Sequence, residues 1–174
     1  MLEAGDVLDL GPLGAKFFIR KTAADTGGLS FEMEWELAPR TGGTPVHIHP
    51  YAAETYEVIE GQLDVFVEGK WHTLFAGEKR TVPERVAHTF RNSSDAIVRV
   101  YNIHAPALRF DGYFEGLHGL VVRGIISSRG MTARALLHLA LLMTSHKSEI
   151  ISVKPPDVLM RFLGVLGRSL GYRV

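Results

Sequence analysis

A strict alternation of apolar and polar side chains over residues 29–37 is the feature that most constrains the fold. Leu, Phe, Met, Trp and Leu occupy the odd positions, while Ser and three Glu occupy the even ones. Because successive side chains of a β-strand point to opposite faces, this period of two predicts a strand with one buried and one solvated face. The β-rich runs 63–67 and 97–103, separated by glycines and prolines, extend the prediction to an all-β region.

After Pro106 the pattern becomes helical. We predict helices over 110–120, from Ala133 to about Ser145 with Thr132 as the N-cap, and after Pro156. The expected organisation is therefore a β-barrel domain over residues 1–106 and a helical extension over residues 107–174, packed on the barrel or on a partner subunit. The many apolar side chains of the last two helical segments favour a homodimer.

Composition excludes several classes of function. The 174 residues carry 19 basic and 19 acidic side chains without a basic stripe, so we expect no nucleic-acid partner. Cysteine is absent, which removes disulfides, thiolate ligands and a cysteine nucleophile. The first residues include Glu3 and Asp6 and lack the basic segment and apolar run of a secretory signal, so the cytoplasm is the expected location.

The apolar extension also raises the question of a membrane. Its uncharged run from Ala135 to Thr144 is far shorter than the roughly 20 residues that a spanning helix needs, so no membrane span is expected. An interfacial anchor with Arg161, Arg168 and Arg173 near lipid headgroups is the alternative to protein packing.

His47 and His49 are the strongest functional signal. On a strand, side chains two residues apart project from the same face, so both imidazoles can enter one cavity. Glu54 and His88 can complete the set from neighbouring strands. Three imidazoles and one carboxylate are ligands for one divalent transition metal (Fe, Mn, Ni, Cu or Zn), with one or two positions left for water or substrate. The alternative is a degenerate pocket that keeps these residues and binds metal weakly.

The remaining acidic and imidazole side chains are weaker candidates. Glu57 has the opposite strand parity to Glu54, and we expect Glu57 and Glu60 to face solvent or lie in turns. The other histidines, taken singly, are expected to be core or surface residues outside the metal's ligand set; they are His72, His104, His118, His138 and His146.

Two stretches carry a family resemblance. The segment 44–49, Thr-Pro-Val-His-Ile-His, followed by Glu54 and Gly61, resembles the first motif of the cupin superfamily. Four later residues resemble the second motif of that superfamily: Gly77, Pro83, His88 and Asn92. The resemblance covers about residues 29–106 and implies a small double-stranded β-helix, or jelly-roll barrel, whose metal ligands would be His47, His49, Glu54 and His88. Some bacterial single-domain cupins carry a similar helical extension that ends in a pattern resembling Gly167-Arg168 and Gly171-Tyr172.

Arg85 departs from the second motif, which usually has glycine at this position. Glycine tolerates a left-handed turn, whereas arginine in that conformation costs roughly 1 kcal/mol or more. The turn before His88 is therefore expected to differ in shape.

Strand parity also predicts a substrate pocket. Tyr56 and Val58 share parity with Glu54, while Phe90 and Asn92 share it with His88, so these four side chains are expected to line the cavity. Tyr56 can donate a hydrogen bond to a substrate oxygen, and Phe90 can stack on a planar ring. Ordinary barrel packing is the alternative for each of them. Trp35 and Phe31 are further candidates for the same wall, with the core as their alternative.

Two classes of function fit these residues. The first is a metal-dependent enzyme, specifically a dioxygenase acting on a small oxygen-rich or aromatic molecule, because the resemblance includes quercetinase-like members that use this ligand set. The second is a non-catalytic protein that binds a small molecule; a cupin isomerase or hydrolase also fits, since fold alone does not choose the chemistry. No carboxylate other than Glu54 stands out as a general base, and this weighs against catalysis.

Overall fold

Two antiparallel β-sheets followed by helices form the structure, a computed structural model that describes residues 1–174. The first strands are β1 (Val7–Leu10), β2 (Ala15–Lys21), β3 (Phe31–Leu37), β4 (His47–Ile48), β5 (Ala53–Glu60) and β6 (Gln62–Val67). The later strands are β7 (Lys70–Phe75), β8 (Lys79–Val82), β9 (His88–Arg91), β10 (Val98–Ala105) and β11 (Ile151–Ser152). The helices are α1 (Phe110–Val122), α2 (Ala133–Ser145) and α3 (Asp157–Ser169), with a short 3-10 helix at Gly11–Leu13.

The two sheets have the strand orders β1-β2-β3-β10-β5-β8 and β11-β4-β9-β6-β7. Their apolar side chains join those of the helices in one core of 34 buried residues. This is the predicted jelly-roll with a C-terminal helical extension. The strand register places His47 opposite His88 and His104 opposite Glu54, so it brings these polar side chains close together in pairs.

The even positions of β3 differ from the solvated face that the alternation predicts. Glu32 and Glu34 expose only 9% and 7% of their surface. Arg20 Nη2 and the Arg99 guanidinium donate to Glu34, the former at 2.7 Å, and the Tyr101 hydroxyl donates to Glu32 at 2.6 Å. Burial acts to raise the pKa of both carboxyls, but these donors outweigh it and hold both pKa values below the ordinary range.

The helices of the extension pack in layers: α1 contacts β1 of the barrel, α2 contacts α1, and α3 contacts α2. α2 has the predicted bounds, and the Thr132 side chain caps it by accepting from the Ala135 amide at 3.1 Å. α3 lies against α2 through Met160, Gly164 and Gly167, and a Cβ at Gly164 would lie 2.7 Å from Thr144 Oγ1. None of the helices combines the length and the apolar character that crossing a bilayer requires.

The boundary at residue 106 falls between β10, which ends at Ala105, and α1, which starts at Phe110. The extension also returns to the barrel, because β11 pairs with β4 through Ile151 opposite Ile48 and Ser152 opposite His47. The division into domains 1–106 and 107–174 stays a prediction.

Candidate metal centre

The four predicted ligands converge in the interior. His47 lies in β4, His49 just after it, Glu54 in β5 and His88 in β9. Each side chain offers one ligand atom, and these four atoms lie within 4.8 Å of one another. All four residues are almost fully buried, so the cluster is a closed group of polar atoms inside the barrel.

Backbone carbonyls fix the orientation of all three imidazoles. The Nδ1 atoms of His47, His49 and His88 lie 2.8, 2.6 and 2.7 Å from the carbonyl oxygens of Pro45, Glu149 and Val86, respectively. A carbonyl oxygen can only accept, so each Nδ1 carries a proton and donates it. In the neutral ring the Nε2 atom then presents a lone pair, which is the tautomer that a metal ligand needs.

Glu54 lies at the centre of the cluster. Its Oε2 atom is 3.1 Å from His49 Nε2 and 2.8 Å from His88 Nε2. The Tyr56 hydroxyl donates to the same oxygen at 2.6 Å, and Asn102 Nδ2 donates to Oε1 at 2.9 Å. Neutral imidazoles would direct lone pairs at a carboxylate oxygen, which is repulsive unless a cation is shared between them. The donor set therefore fits a divalent transition metal.

The electrostatics of the cluster favour the ligand forms of two residues. Burial acts to raise the pKa of Glu54, but His104 and the imidazoles of His49 and His88 hold that pKa well below its ordinary value, so Glu54 is a carboxylate. Burial, aided by the neighbouring imidazoles, lowers the pKa of His47 well below its ordinary value, so this ring is neutral. Metal binding would require no deprotonation of either residue near neutral pH.

A cavity of about 380 Å³ adjoins the cluster and is lined in part by His47, His49 and Glu54. Of its 24 lining residues, 16 are hydrophobic, so the space beside the metal ligands is mainly apolar. Phe90 and Trp35 belong to this lining, whereas Phe31 lies in the core outside it.

The three other residues predicted to line the pocket lie outside the cavity lining. Tyr56 is fully buried and its hydroxyl contacts Glu54, and Val58 is a core residue. Asn92 Nδ2 donates to three backbone carbonyls, at 3.1, 3.0 and 2.8 Å, which ties the loop after β9 to the end of β3. None of these three residues lines the cavity.

His104 is a site residue that sequence reasoning did not select. It lies outside the four-ligand cluster, as expected, but its Nε2 is 3.4 Å from Glu54 Oε1 and its ring lines the cavity. Burial lowers its pKa to about 3, so the ring is neutral, and its Nδ1 has no hydrogen-bond partner. Its position on β10 opposite Glu54 depends on strand register, which strand parity alone does not reveal.

Comparisons with known proteins agree with this geometry. Residues 33–104 match the family model described as "Cupin domain". Among curated proteins, the polyketide synthase CurC of Streptomyces cyaneus is 37% identical over 54 residues, which is 31% of this chain and 35% of that protein. The chain spans about a third of the length of the curated relatives it matches.

Solved structures show the same fold at low sequence identity. KdgF from Halomonas sp. has a TM-score of 0.51 at 21% identity, covering 58% of this chain and 86% of that one. A cupin from Shewanella frigidimarina, described as RmlC-like, has a TM-score of 0.51 at 22% identity, covering 59% and 85%. Residues 33–104 therefore form a cupin domain with the jelly-roll fold of these solved structures.

Proposed function

We propose that this protein is a metal-dependent cupin enzyme that holds one divalent transition metal on His47, His49, Glu54 and His88 and acts on a small molecule in the adjoining cavity. The observation that carries the proposal is the arrangement of the three imidazoles, whose Nδ1 atoms are all bound by carbonyls and whose Nε2 atoms gather around Glu54. Burial acts to lower the pKa of His88, but its hydrogen bond to Glu54 raises that pKa, so a proton held there in the metal-free protein would be released when a cation binds.

The surrounding residues define what such a site can do. A bound ion would polarise a substrate oxygen and, if it is a redox metal, bring O₂ and substrate together, which is the dioxygenase-like interpretation. Tyr56 holds the Glu54 carboxylate in place, and the neutral His104 ring presents a nitrogen beside it. The apolar lining keeps bulk water away from the reacting groups, which strengthens electrostatic interactions there.

A non-catalytic binding protein is the second candidate, and one observation favours it. Glu54 is the single carboxylate among the residues that line the cavity, and the metal would occupy it. No second carboxylate is then free to act as a general base. A cupin isomerase or hydrolase would need such a group more than an oxygen-using enzyme does.

Metal analysis of protein purified without added metal tests the proposal. We expect about one ion per chain; iron, copper or nickel would support oxygen chemistry, and zinc alone would leave the binding, isomerase and hydrolase alternatives. His49→Ala should lose most of the metal while keeping the fold, because the core of 34 buried residues does not depend on an ion.

The control is His72→Ala, a partly exposed position on β7 outside the cluster, which should retain full metal content. Wild-type protein that binds no transition metal even when it is supplied would contradict the proposal. Cooperative unfolding on chelation would show instead that the ion is structural.

We also propose that the protein is a cytoplasmic homodimer in which α3 pairs with α3 of a second copy. The outward side of α3 exposes a continuous row of large apolar side chains: Val158, Leu159, Phe162, Val165, Leu166 and Leu170. Apolar patches of several hundred Å² are uncommon on soluble monomers, so this face is expected to be covered.

The absence of charge from this row favours a second copy as the cover. The charged residues of α3 lie off the row, and Asp157 and Arg161 line a small pocket with Thr144 of α2. In an antiparallel pair related by a two-fold axis, the apolar row of each copy would pack on the same row of the other, and the helix dipoles would oppose favourably.

A further inference from the structure

The helical extension forms much of the wall of the cavity beside the metal centre. Phe110, Phe114 and Leu117 contribute from α1, and Leu139 and Met143 contribute from α2. These side chains come from outside the matched cupin segment, which ends at residue 104. The extension thus determines the shape and polarity of the space in which a ligand would lie.

The same wall reaches the metal ligands directly. The Phe110 ring centroid lies 4.0 Å from that of His104 and 5.1 Å from that of His49. The extension also supplies the Glu149 carbonyl that accepts from His49 Nδ1 at 2.6 Å. Any ligand of the metal centre that is larger than its metal-binding group would therefore contact the helical extension.

The imidazole and carboxylate groups of the cavity lining are all clustered at the metal centre. Every imidazole and carboxylate in the lining belongs to the metal cluster or contacts it, namely His47, His49, Glu54 and His104. No lysine or arginine lines the cavity, and the other polar side chains of its lining are Thr41, Thr44, Tyr113 and Trp35, whose indole nitrogen has no hydrogen-bond partner. A ligand rich in hydroxyl or carboxylate groups would lose hydration along the apolar wall without replacement, which is costly.

We propose that this site takes a predominantly apolar molecule, aromatic or aliphatic, that carries a single oxygen-donor end. The inference rests on the proposed function, because the oxygen-donor end is assigned to the metal centre. The apolar body lies between the barrel and helices α1 and α2, in a volume of about 380 Å³ that suits a small organic molecule. Small dicarboxylates and sugars are disfavoured by the same wall.

Two probe series test the proposal by isothermal titration calorimetry. The first is a series of n-alkyl hydroxamates from acetohydroxamate to octanohydroxamate, added to the metal-loaded protein. Their head group chelates metal equally well throughout, so the tail alone changes. We expect affinity to rise about threefold to fourfold per added methylene until the cavity is filled. The second is the series 1-butanol to 1-octanol with the metal-free protein, where affinity should also rise with length.

A matched pair of variants locates the effect. Met131 lines the cavity and is 54% exposed, so Met131→Glu places a charge at the rim without burying it in the core. We expect it to weaken octanohydroxamate binding by tenfold or more and to leave acetohydroxamate binding unchanged. Val122→Glu, at an exposed position on α1 outside the lining, should change neither.

The outcomes separate this proposal from the proposed function. Tight binding of acetohydroxamate with no gain from longer tails would overturn the apolar-body proposal and leave the metal centre intact. Failure to bind metal would contradict the proposed function. The alcohol series, which uses metal-free protein, would then test by itself whether the cavity binds an apolar chain. An alcohol series without dependence on length, or equal effects of Met131→Glu and Val122→Glu, would also overturn it.

Discussion

Tyr56 is a packing residue whose hydroxyl acts on the candidate metal centre. Burial and the Glu54 charge raise its pKa well above the ordinary value, so the hydroxyl stays protonated and can only be a donor towards that carboxylate. A carboxylate that is held in this way has one oxygen oriented before any ion arrives. Groups that orient metal ligands commonly contribute as much to affinity as to geometry.

Tyr56→Phe removes this donor and retains the ring that packs against Trp35. We expect metal affinity to fall about tenfold to hundredfold, with the fold unchanged. Competition against a chromophoric chelator measures the affinity. Tyr113→Phe is the matched control, because the Tyr113 hydroxyl makes no hydrogen bond within the chain; equal affinities for the two variants would show that Tyr56 does not orient Glu54.

Arg85 shows what a departure from a motif changes. Its φ of 64° is left-handed, the conformation that glycine would adopt most easily. The expectation of a different turn shape therefore does not hold for the backbone, and arginine bears a strain of roughly 1 kcal/mol. Its amide donates to the His49 carbonyl at 2.8 Å, and Nε donates to the Pro50 carbonyl at 3.3 Å, so the turn stays bound to the segment that carries a ligand.

The pairing of His47 with His49 was predictable because side chains two residues apart on a strand project from the same face, and the motif spacing added Glu54 and His88 from other strands. His104 and the Glu149 carbonyl were not predictable in the same way. The contact between Glu149 and His49 joins residues 100 positions apart, and the one between His104 and Glu54 depends on the register of β10 against β5. Local periodicity contains no information on such pairings.

Strand β3 illustrates the same limit for an element. Alternation located the strand and its apolar face correctly, but Glu32 and Glu34 are covered by side chains from β2 and β10. Glu32 and Glu34 are therefore buried acceptors of ion pairs whose basic partners remain 39–54% exposed. β4 and β11 have two residues each, which is too short for any period to be recognised. Helices α1, α2 and α3 were predictable because each runs through several turns.

The carboxylates of Glu32 and Glu34 on β3 form ion pairs, which predicts that the free energy of unfolding depends on pH. Their pKa values are lower in the folded protein than in the unfolded chain, so the stabilisation is fully present above the unfolded pKa of about 4.3 and is lost as pH falls through the folded pKa. We expect the free energy of unfolding of the metal-free protein to fall between about pH 5 and pH 3. Urea titrations in the presence of a chelator measure it.

Glu34→Gln should be less stable than wild type at pH 7 and should lose less stability on acidification, because Arg20 and Arg99 already lack their charged partner. Glu84→Gln is the control, since Glu84 is exposed and forms no ion pair, and its profile should follow wild type. Parallel profiles for Glu34→Gln and wild type would contradict the assignment of acid sensitivity to this strand.

At the scale of the whole molecule, the outward face of α3 predicts the assembly state. Light scattering at micromolar concentration should give the mass of a dimer. Phe162→Glu places a charge at the centre of the exposed row, where Phe162 is 65% exposed, and should yield monomers. Phe75→Glu is the matched control on β7, where Phe75 is 55% exposed, and should remain dimeric.

A wild-type monomer would show that the dimer proposal is wrong. Binding of that monomer to anionic lipid vesicles, lost in Phe162→Glu, would identify the face as an interfacial anchor instead. A dimer that Phe162→Glu leaves intact would place the interface elsewhere on the molecule.

The hydrogen bond from His49 to the Glu149 carbonyl links two equilibria that would otherwise be independent. Detaching the extension would release the orientation of one metal ligand and weaken the hold on an ion. By thermodynamic reciprocity, an ion at the centre would strengthen the attachment of the extension by the same free energy. The C-terminal helices would then report metal status to anything that senses their docking, including a second copy assembled through α3.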